Sequence, residues 1–226
     1  MGRSGANAGI AMGDLRMAVS TGDVLRWLNA SQEAFAEKRQ LLTELDSAVG
    51  DGDLGISLDR GFTAVRAELS AHPPADLRSV FQSVSAVLIR TMGGTAGPLF
   101  GTFFLRAGTA SAGKSDLGPA DVVALFQAGV EGIQQRGKAA LGDKTMLDAL
   151  LPAVDAMRSA LEAGSGLTEI LDRGAAAAEA GVRDTVSMSA RKGRASYLGD
   201  RSIGHQDPGA TACYLMLKAA AEVWRL

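Results

Sequence analysis

The sequence has one cysteine and few aromatic residues, and its positive and negative charges are nearly balanced. Its one cysteine, Cys213, cannot form a disulfide within the chain, so we expect a reducing, cytoplasmic location. The formal net charge of -2 over 226 residues creates no field that attracts nucleic acid or an anionic membrane. No apolar run approaches the roughly 20 residues of a membrane span. These absences predict that neither nucleic acid nor a membrane is a partner.

The apolar residues of the chain follow a pattern typical of amphipathic helices. Hydrophobic residues make up 46% and charged residues 21%, the balance of an ordinary globular protein. From Thr21 onward apolar residues recur close to the 3.6-residue period, and no valine or isoleucine alternation typical of strands appears. We predict an all-α fold, a single domain of about eight antiparallel helices over residues 21–226. The small, glycine-rich residues 1–20 are predicted to be a flexible N-terminal segment.

Four loops are richer in Gly, Asp, Thr and Arg than a connector requires. Because alternate loops between antiparallel helices lie at the same end of a bundle, these four can converge on one mouth. They comprise residues 46–57, 91–102, 136–148 and 191–211.

The first of these loops, LDSAVGDGDLGIS, places Asp46, Asp51 and Asp53 on one bend. Three carboxylates so close repel one another unless a cation lies between them, and hard divalent cations prefer oxygen ligands. An EF-hand is excluded, because Ile56 stands where its glycine belongs. Mg²⁺ held together with phosphate oxygens is one interpretation, and a helix cap by Asp46 or Asp53 is the other.

A second motif, GTASAGKS at residues 108–115, matches the P-loop pattern formally. A working P-loop opens a helix at its Gly-Lys-Ser, but Gly118 and Pro119 follow here and forbid that helix. The stretch is therefore predicted to be a surface loop.

The remaining loops leave alternatives open. Glycines in TMGGTAGPLFGT suit the approach of either a phosphate or a neighbouring helix. Residues 136–148 mix charges of both signs and can be a solvated helix start with Asp143 as its cap. The basic segment 191–211 suits a polyphosphate, and its His205 is interpreted as a structural, hydrogen-bonded group.

Four segments resemble, in order along the chain, the nucleotide-binding L subunit (Dak2-type domain) of dihydroxyacetone kinases. They are LDSAVGDGDLG, GGTAGPLFGTFFLRA, RGKAALGDKTMLDALLPAV and ARKGRASYLGDRSIGHQDPGAT, and the similarity runs from about Asp23 to the C-terminus. The resemblance implies an eight-helix barrel that holds ADP or ATP at one end through two Mg²⁺ ions. It implies that Asp46, Asp51 and Asp53 hold the metal. Its nucleotide contacts fall on Leu54, Gly55, Ile56, Ser57, Thr95, Ala96, Gly137, Met146, Arg194, Asp207, Pro208 and Gly209.

The chain departs from the family pattern at three of these positions. Leu54 stands where a histidine is common, Ala96 where a serine is common, and Ser57 where an asparagine is common. The expected consequence is an altered set of phosphate contacts near Leu54 and Ala96.

The resemblance also implies partners. A separate K subunit holds dihydroxyacetone covalently, so no catalytic residue is expected on this chain. A phosphocarrier M subunit recharges ADP if the donor is phosphoenolpyruvate, and a homodimer is a further expectation. The alternatives are an ATP-dependent kinase for a related ketose such as erythrulose, and a non-catalytic nucleotide-binding regulatory relative.

Overall fold

The fold is all-α, as predicted. The structure is a computed structural model that describes residues 18–225. Within that range there are nine α-helices, and the longest connection, residues 185–207, lies between the last two: α1 (Thr21–Glu37), α2 (Arg39–Val49), α3 (Leu54–Ala71), α4 (Leu77–Thr91), α5 (Ala96–Ala110), α6 (Pro119–Gly137), α7 (Leu147–Glu162), α8 (Leu167–Asp184) and α9 (Pro208–Val223). Short 3₁₀ helices occur at Thr185–Ser187 and Arg194–Ser202.

The helix boundaries follow local sequence signals. Ser20 caps α1 and exchanges hydrogen bonds with Asp23 in a capping box. Pro119 and Pro208 occupy the first turns of α6 and α9, where a missing N–H costs nothing. Helix α3 ends at Ala71, just before His72-Pro73-Pro74, because the conformation that a proline imposes on the residue before it disfavours a helix. Only Lys38 separates α1 from α2, so the predicted number of about eight agrees with the nine observed.

Two short strands tie the N-terminal end of the described chain to the loop before α6. Strand β1 (Val19–Ser20) pairs antiparallel with β2 (Asp116–Leu117), and Val19 and Leu117 are fully buried. The folded domain therefore includes at least these two residues before Thr21. Residues 1–17 of the predicted flexible segment lie outside the described residues.

The helices pack in a closed order. From α3 to α9 each helix contacts the next, and α1 packs against both α9 and α3. Trp27 on α1 and Trp224 after α9 have ring centroids 4.9 Å apart, and their indoles donate to Met216 O and Asp23 O respectively. These contacts join the first helix of the described chain to the last, while the eight-helix barrel stays a prediction.

Residues 111–115 of the P-loop-like stretch form a turn, as predicted, whereas residues 108–110 are the end of α5. Helix α5 ends at Ala110, and the Lys114 Nζ lies 2.7 Å from the Asp121 Oδ1 rather than facing a cavity. None of the helices in residues 18–225 is long and apolar enough to cross a membrane.

Candidate functional site

The four polar loops meet at one cavity of about 530 Å³. Helices α3, α5, α7 and α9 begin at this cavity, whereas α2 and α6 end there. Four helices thus direct their positive dipole ends at one cavity, which suits an anion. Some of their first N–H groups are already bonded, since Leu54, Leu147 and Ala210 donate to Asp46, Thr145 and Asp207 respectively. The predicted convergence of the loops is thus confirmed.

Most of the predicted site residues line this cavity. They are Asp46, Asp51, Asp53, Leu54, Ser57, Thr95, Ala96, Gly137, Met146, Arg194, Asp207, Pro208 and Gly209.

The structure does not place Gly55 and Ile56 in the cavity wall. Helical periodicity directs Leu54 and Ser57 to the cavity, Gly55 toward α2, and Ile56 to solvent. A Cβ on Gly55 would lie 2.2 Å from Arg39 O, so this glycine permits a close approach of two helices.

In the aspartate loop one carboxylate caps a helix, and another makes no hydrogen bond within the described chain. Asp46 Oδ2 accepts a hydrogen bond of 3.0 Å from the N–H of Leu54 and so caps α3 from the preceding helix. Asp53 stands at the N-cap position, but its side chain makes no cap bond, and its carboxylate has no partner among residues 18–225. Asp51 Oδ2 lies 2.6 Å from Arg194 Nη1. The cap interpretation therefore applies to Asp46 and not to Asp53.

Negative charge in this loop is incompletely compensated. Burial raises the pKa of Asp46 despite the hydrogen bond from Leu54, and the nearby charge of Asp51 raises it further. Within the described chain no three carboxylate, histidine or cysteine side chains already converge as a set of metal ligands. The donor chemistry nevertheless fits Mg²⁺, which takes few carboxylates and completes its shell with water and phosphate oxygens.

The glycine loop has two separate roles. Ser57 Oγ accepts from the N–H of Gly93 at 3.1 Å, which joins this loop to α3. A Cβ on Gly93 would lie 3.5 Å from Asp53 Oδ2, and one on Gly94 would lie 3.8 Å from Arg194 Nη2. These two glycines therefore face the charged side of the cavity. By contrast, a Cβ on Gly101 would lie 2.4 Å from Ile89, so that glycine serves helix packing.

The segment before α7 was predicted to be a solvated helix start with Asp143 as its cap. The structure corrects this, because Asp148 rather than Asp143 accepts from the backbone N–H groups of Gly142 (2.5 Å) and Thr145 (2.7 Å). Asp143 instead accepts from Ala140 within its own turn. Lys144 is buried and lines the cavity. Charged residues usually mark solvent, so the sequence carried no local signal of this burial.

Asp207 combines a structural and an electrostatic role. Its Oδ2 accepts from the N–H of Ala210 at 2.7 Å and caps α9. Burial raises the pKa of Asp207 to about 7, the charges of Asp148 and Asp46 add to this, and Lys144 opposes it. The imidazole of His205 is exposed and does not line the cavity.

Comparison with known proteins adds an independent line of evidence. A family model described as the DAK2 domain matches residues 48–222. The chain is 39% identical over 205 residues to the ADP-binding subunit DhaL of the PEP-dependent dihydroxyacetone kinase of Escherichia coli (strain K12), covering 91% of this chain and 98% of that one. It is 40% identical over 195 residues to the corresponding subunit of kinase 1 of Listeria innocua, covering 86% and 92%.

A solved structure shares the fold. The dihydroxyacetone kinase of C. freundii in complex with AMP-PNP and Mg²⁺ superposes with a TM-score of 0.71 at 25% identity. The match covers 98% of this chain and 38% of that one, so this chain corresponds to about two fifths of the larger kinase.

Proposed function

The chain belongs to the DAK2 domain family, and from this premise we propose that it is the ADP- and ATP-binding L subunit of a dihydroxyacetone-type kinase. Relatives that it spans almost completely are named as ADP-binding subunits of PEP-dependent dihydroxyacetone kinases. The solved relative carries AMP-PNP and Mg²⁺.

One observation carries this proposal most directly. A single cavity joins the three aspartates, Arg194 and four helix N-termini, and its volume of about 530 Å³ suits a ligand of nucleotide size. The aspartates can bind a cation, and Arg194 and the helix N-termini can bind an anion, so the cavity suits a polyphosphate with its metal ion.

The charged side of the cavity is the proposed phosphate side. Asp46, Asp51 and Asp53 are the proposed ligands of two Mg²⁺ ions, which when bound neutralise phosphate charge. Arg194 is paired with Asp51, and its guanidinium is suited to bind a phosphate. When the carboxylate takes a cation and the guanidinium takes the phosphate, both charges stay compensated.

The apolar part of the cavity wall suits the base and ribose. It includes Gly137 and Met146 together with the apolar side chains of Leu99 and Ile133.

Leu54 and Ala96, which depart from the family pattern, lie at the starts of α3 and α5. The Leu54 N–H already donates to Asp46, whereas Thr95 makes no side-chain cap bond at the start of α5. We therefore propose that backbone donors at the start of α5 replace part of the missing side-chain contacts.

Phosphoryl transfer requires an acceptor oxygen in line with the terminal phosphate, and this chain is proposed to supply position and charge neutralisation only. The acceptor is the keto-sugar, dihydroxyacetone, held by the K subunit, so activity depends on that subunit. An M subunit as phosphate donor, a homodimer and a cytoplasmic location are parts of the same proposal.

Exposed apolar side chains beside the mouth support a partner there. Tyr197 is 88% exposed and Leu141 is 61% exposed, and both lie in loops that also line the cavity. Aromatic residues are frequent anchors of protein interfaces. The K subunit must approach this face to reach the phosphate.

Mass spectrometry and calorimetry of the purified protein test the proposal. Retained ADP that resists dialysis supports the PEP-dependent role, whereas an empty protein that binds Mg-ATP reversibly supports the ATP-dependent kinase. If the protein binds nucleotide but supports phosphorylation of dihydroxyacetone with no K subunit, the non-catalytic regulatory role is favoured. Absence of binding to ADP and ATP with Mg²⁺ refutes the proposal.

A further inference from the structure

Lys144 is a buried cation that the proposed nucleotide contacts do not use. It is 1% exposed, although lysine is among the residues least often buried. Its backbone has φ +58°, a conformation that residues other than glycine rarely adopt. A buried charge in an uncommon backbone conformation persists only when specific contacts hold it.

The contacts of Lys144 join the two ends of one loop. Its Nζ donates to Met188 O at 3.0 Å and to Ser202 O at 2.5 Å. The intervening segment, residues 188–202, is called the basic arch below, and it carries Arg194 into the cavity. One ammonium group thus holds both ends of the loop that carries the proposed phosphate ligand.

Other bonds at the base of the arch converge on the same point. Ser202 Oγ accepts from the N–H of Ala190 at 2.8 Å, and the N–H of Arg191 donates to Asp143 O at 3.0 Å, next to Lys144. Farther along the arch, Ala195 packs against Val49 at the end of α2. The arch is therefore attached at its base to the turn before α7 and along its length to the aspartate loop.

We propose that Lys144 is a positioning residue for phosphate binding, which acts through the basic arch by holding Arg194 beside the aspartate loop. This inference rests on the proposed nucleotide function. It assigns Lys144 no contact with the nucleotide. Its effect must therefore depend on Arg194 and must concern the phosphates rather than the base.

The experiment compares Lys144→Met with Lys138→Met. Lys138 also has a positive φ, of 48°, but it is exposed and does not line the cavity. Calorimetry measures the affinity for ADP with Mg²⁺ and for adenosine. We expect Lys144→Met to weaken ADP binding roughly 10- to 100-fold, the range of a lost charge-assisted hydrogen bond, and to leave adenosine binding within about twofold. Lys138→Met should change neither affinity.

A double-mutant cycle separates positioning from general stabilisation. If Lys144 acts through Arg194, the variant carrying both Lys144→Met and Arg194→Ala should bind ADP no more weakly than Arg194→Ala alone. Losses that add, or an equal loss of adenosine and ADP affinity, would overturn the proposal.

Amide hydrogen exchange tests the clamp without nucleotide. The amides of residues 188–202 should exchange faster in Lys144→Met than in Lys138→Met, and equal exchange would overturn the proposal. If the wild-type protein binds no ADP, the proposed function fails, while exchange still decides whether Lys144 holds the arch.

If Lys144→Met does not fold, Ser202→Ala replaces it. This variant removes the acceptor for the Ala190 N–H and leaves the ammonium in place. It should reproduce the selective loss of ADP affinity and the lack of additivity with Arg194→Ala. Unchanged ADP affinity in a folded Ser202→Ala protein with a loosened arch would overturn the proposal.

Discussion

Replacing Gly55 by alanine tests how closely α3 approaches α2 beside the aspartate loop. The new Cβ would lie 2.2 Å from Arg39 O, 2.5 Å from Thr43 Oγ1 and 2.8 Å from Thr43 N. Two of these three atoms belong to the backbone, so no side-chain rotation relieves the clash. The start of α3 must move away from α2.

The expected cost is that of overpacking against backbone atoms, about 2–3 kcal/mol, the upper part of the usual range. Alanine recovers part of this through its higher helix propensity, by at most about 1 kcal/mol. A net loss of about 1–2 kcal/mol corresponds to a fall in Tm of roughly 2–8 °C for a domain of this size. The same movement displaces Asp53 and Leu54 relative to Asp46, so Mg-ADP affinity should fall as well.

Thermal unfolding followed by circular dichroism measures the effect, with Gly22→Ala as the control. Gly22 is the second residue of α1, as Gly55 is of α3, but it is exposed, and its Cβ would approach other atoms no closer than 3.7 Å, so the substitution should not lower stability by more than about 0.5 kcal/mol. If Gly55→Ala unfolds at the same temperature as Gly22→Ala, the close approach of the two helices is refuted.

Three further predictions concern charge and the partner. Asp51→Asn and Asp53→Asn should abolish Mg-dependent ADP binding in calorimetry with little change in Tm, whereas Asp172→Asn, which alters only a surface pair with Arg225, should bind normally. Folding raises the pKa of Asp207 from 3.8 to about 7, so the stability of the protein without nucleotide should fall as pH rises from about 4 to 7. This group contributes at most ~1.4 kcal/mol per pH unit, and Asp207→Asn should flatten that slope in urea unfolding. Tyr197→Ala should leave ADP affinity within about twofold but weaken binding to the K subunit at least roughly fivefold.

The outcomes that would contradict these predictions are distinct. Normal ADP binding by both Asp51→Asn and Asp53→Asn would show that the metal assignment is wrong. An unchanged pH slope in Asp207→Asn would show that another group, such as Asp46, causes it. Unchanged K-subunit affinity in Tyr197→Ala would place the partner on another surface.

Sequence alone determined what depends on neighbours along the chain. Apolar periodicity predicted the helices, and Gly118 and Pro119 excluded the P-loop. The family motifs predicted which loops form the site. These signals are local because hydrogen bonds within a helix join residues four positions apart.

Only the tertiary structure decided what depends on distant partners. Val19 pairs with Leu117, Gly55 meets Arg39 across two helices, and the Lys144 ammonium binds carbonyls 44 and 58 residues farther along the chain. Nothing in the residues next to Lys144 distinguishes a buried lysine from a solvated one. Whether a charged side chain is buried depends on which distant backbone groups the fold brings to it, because only those groups can replace the water that it loses.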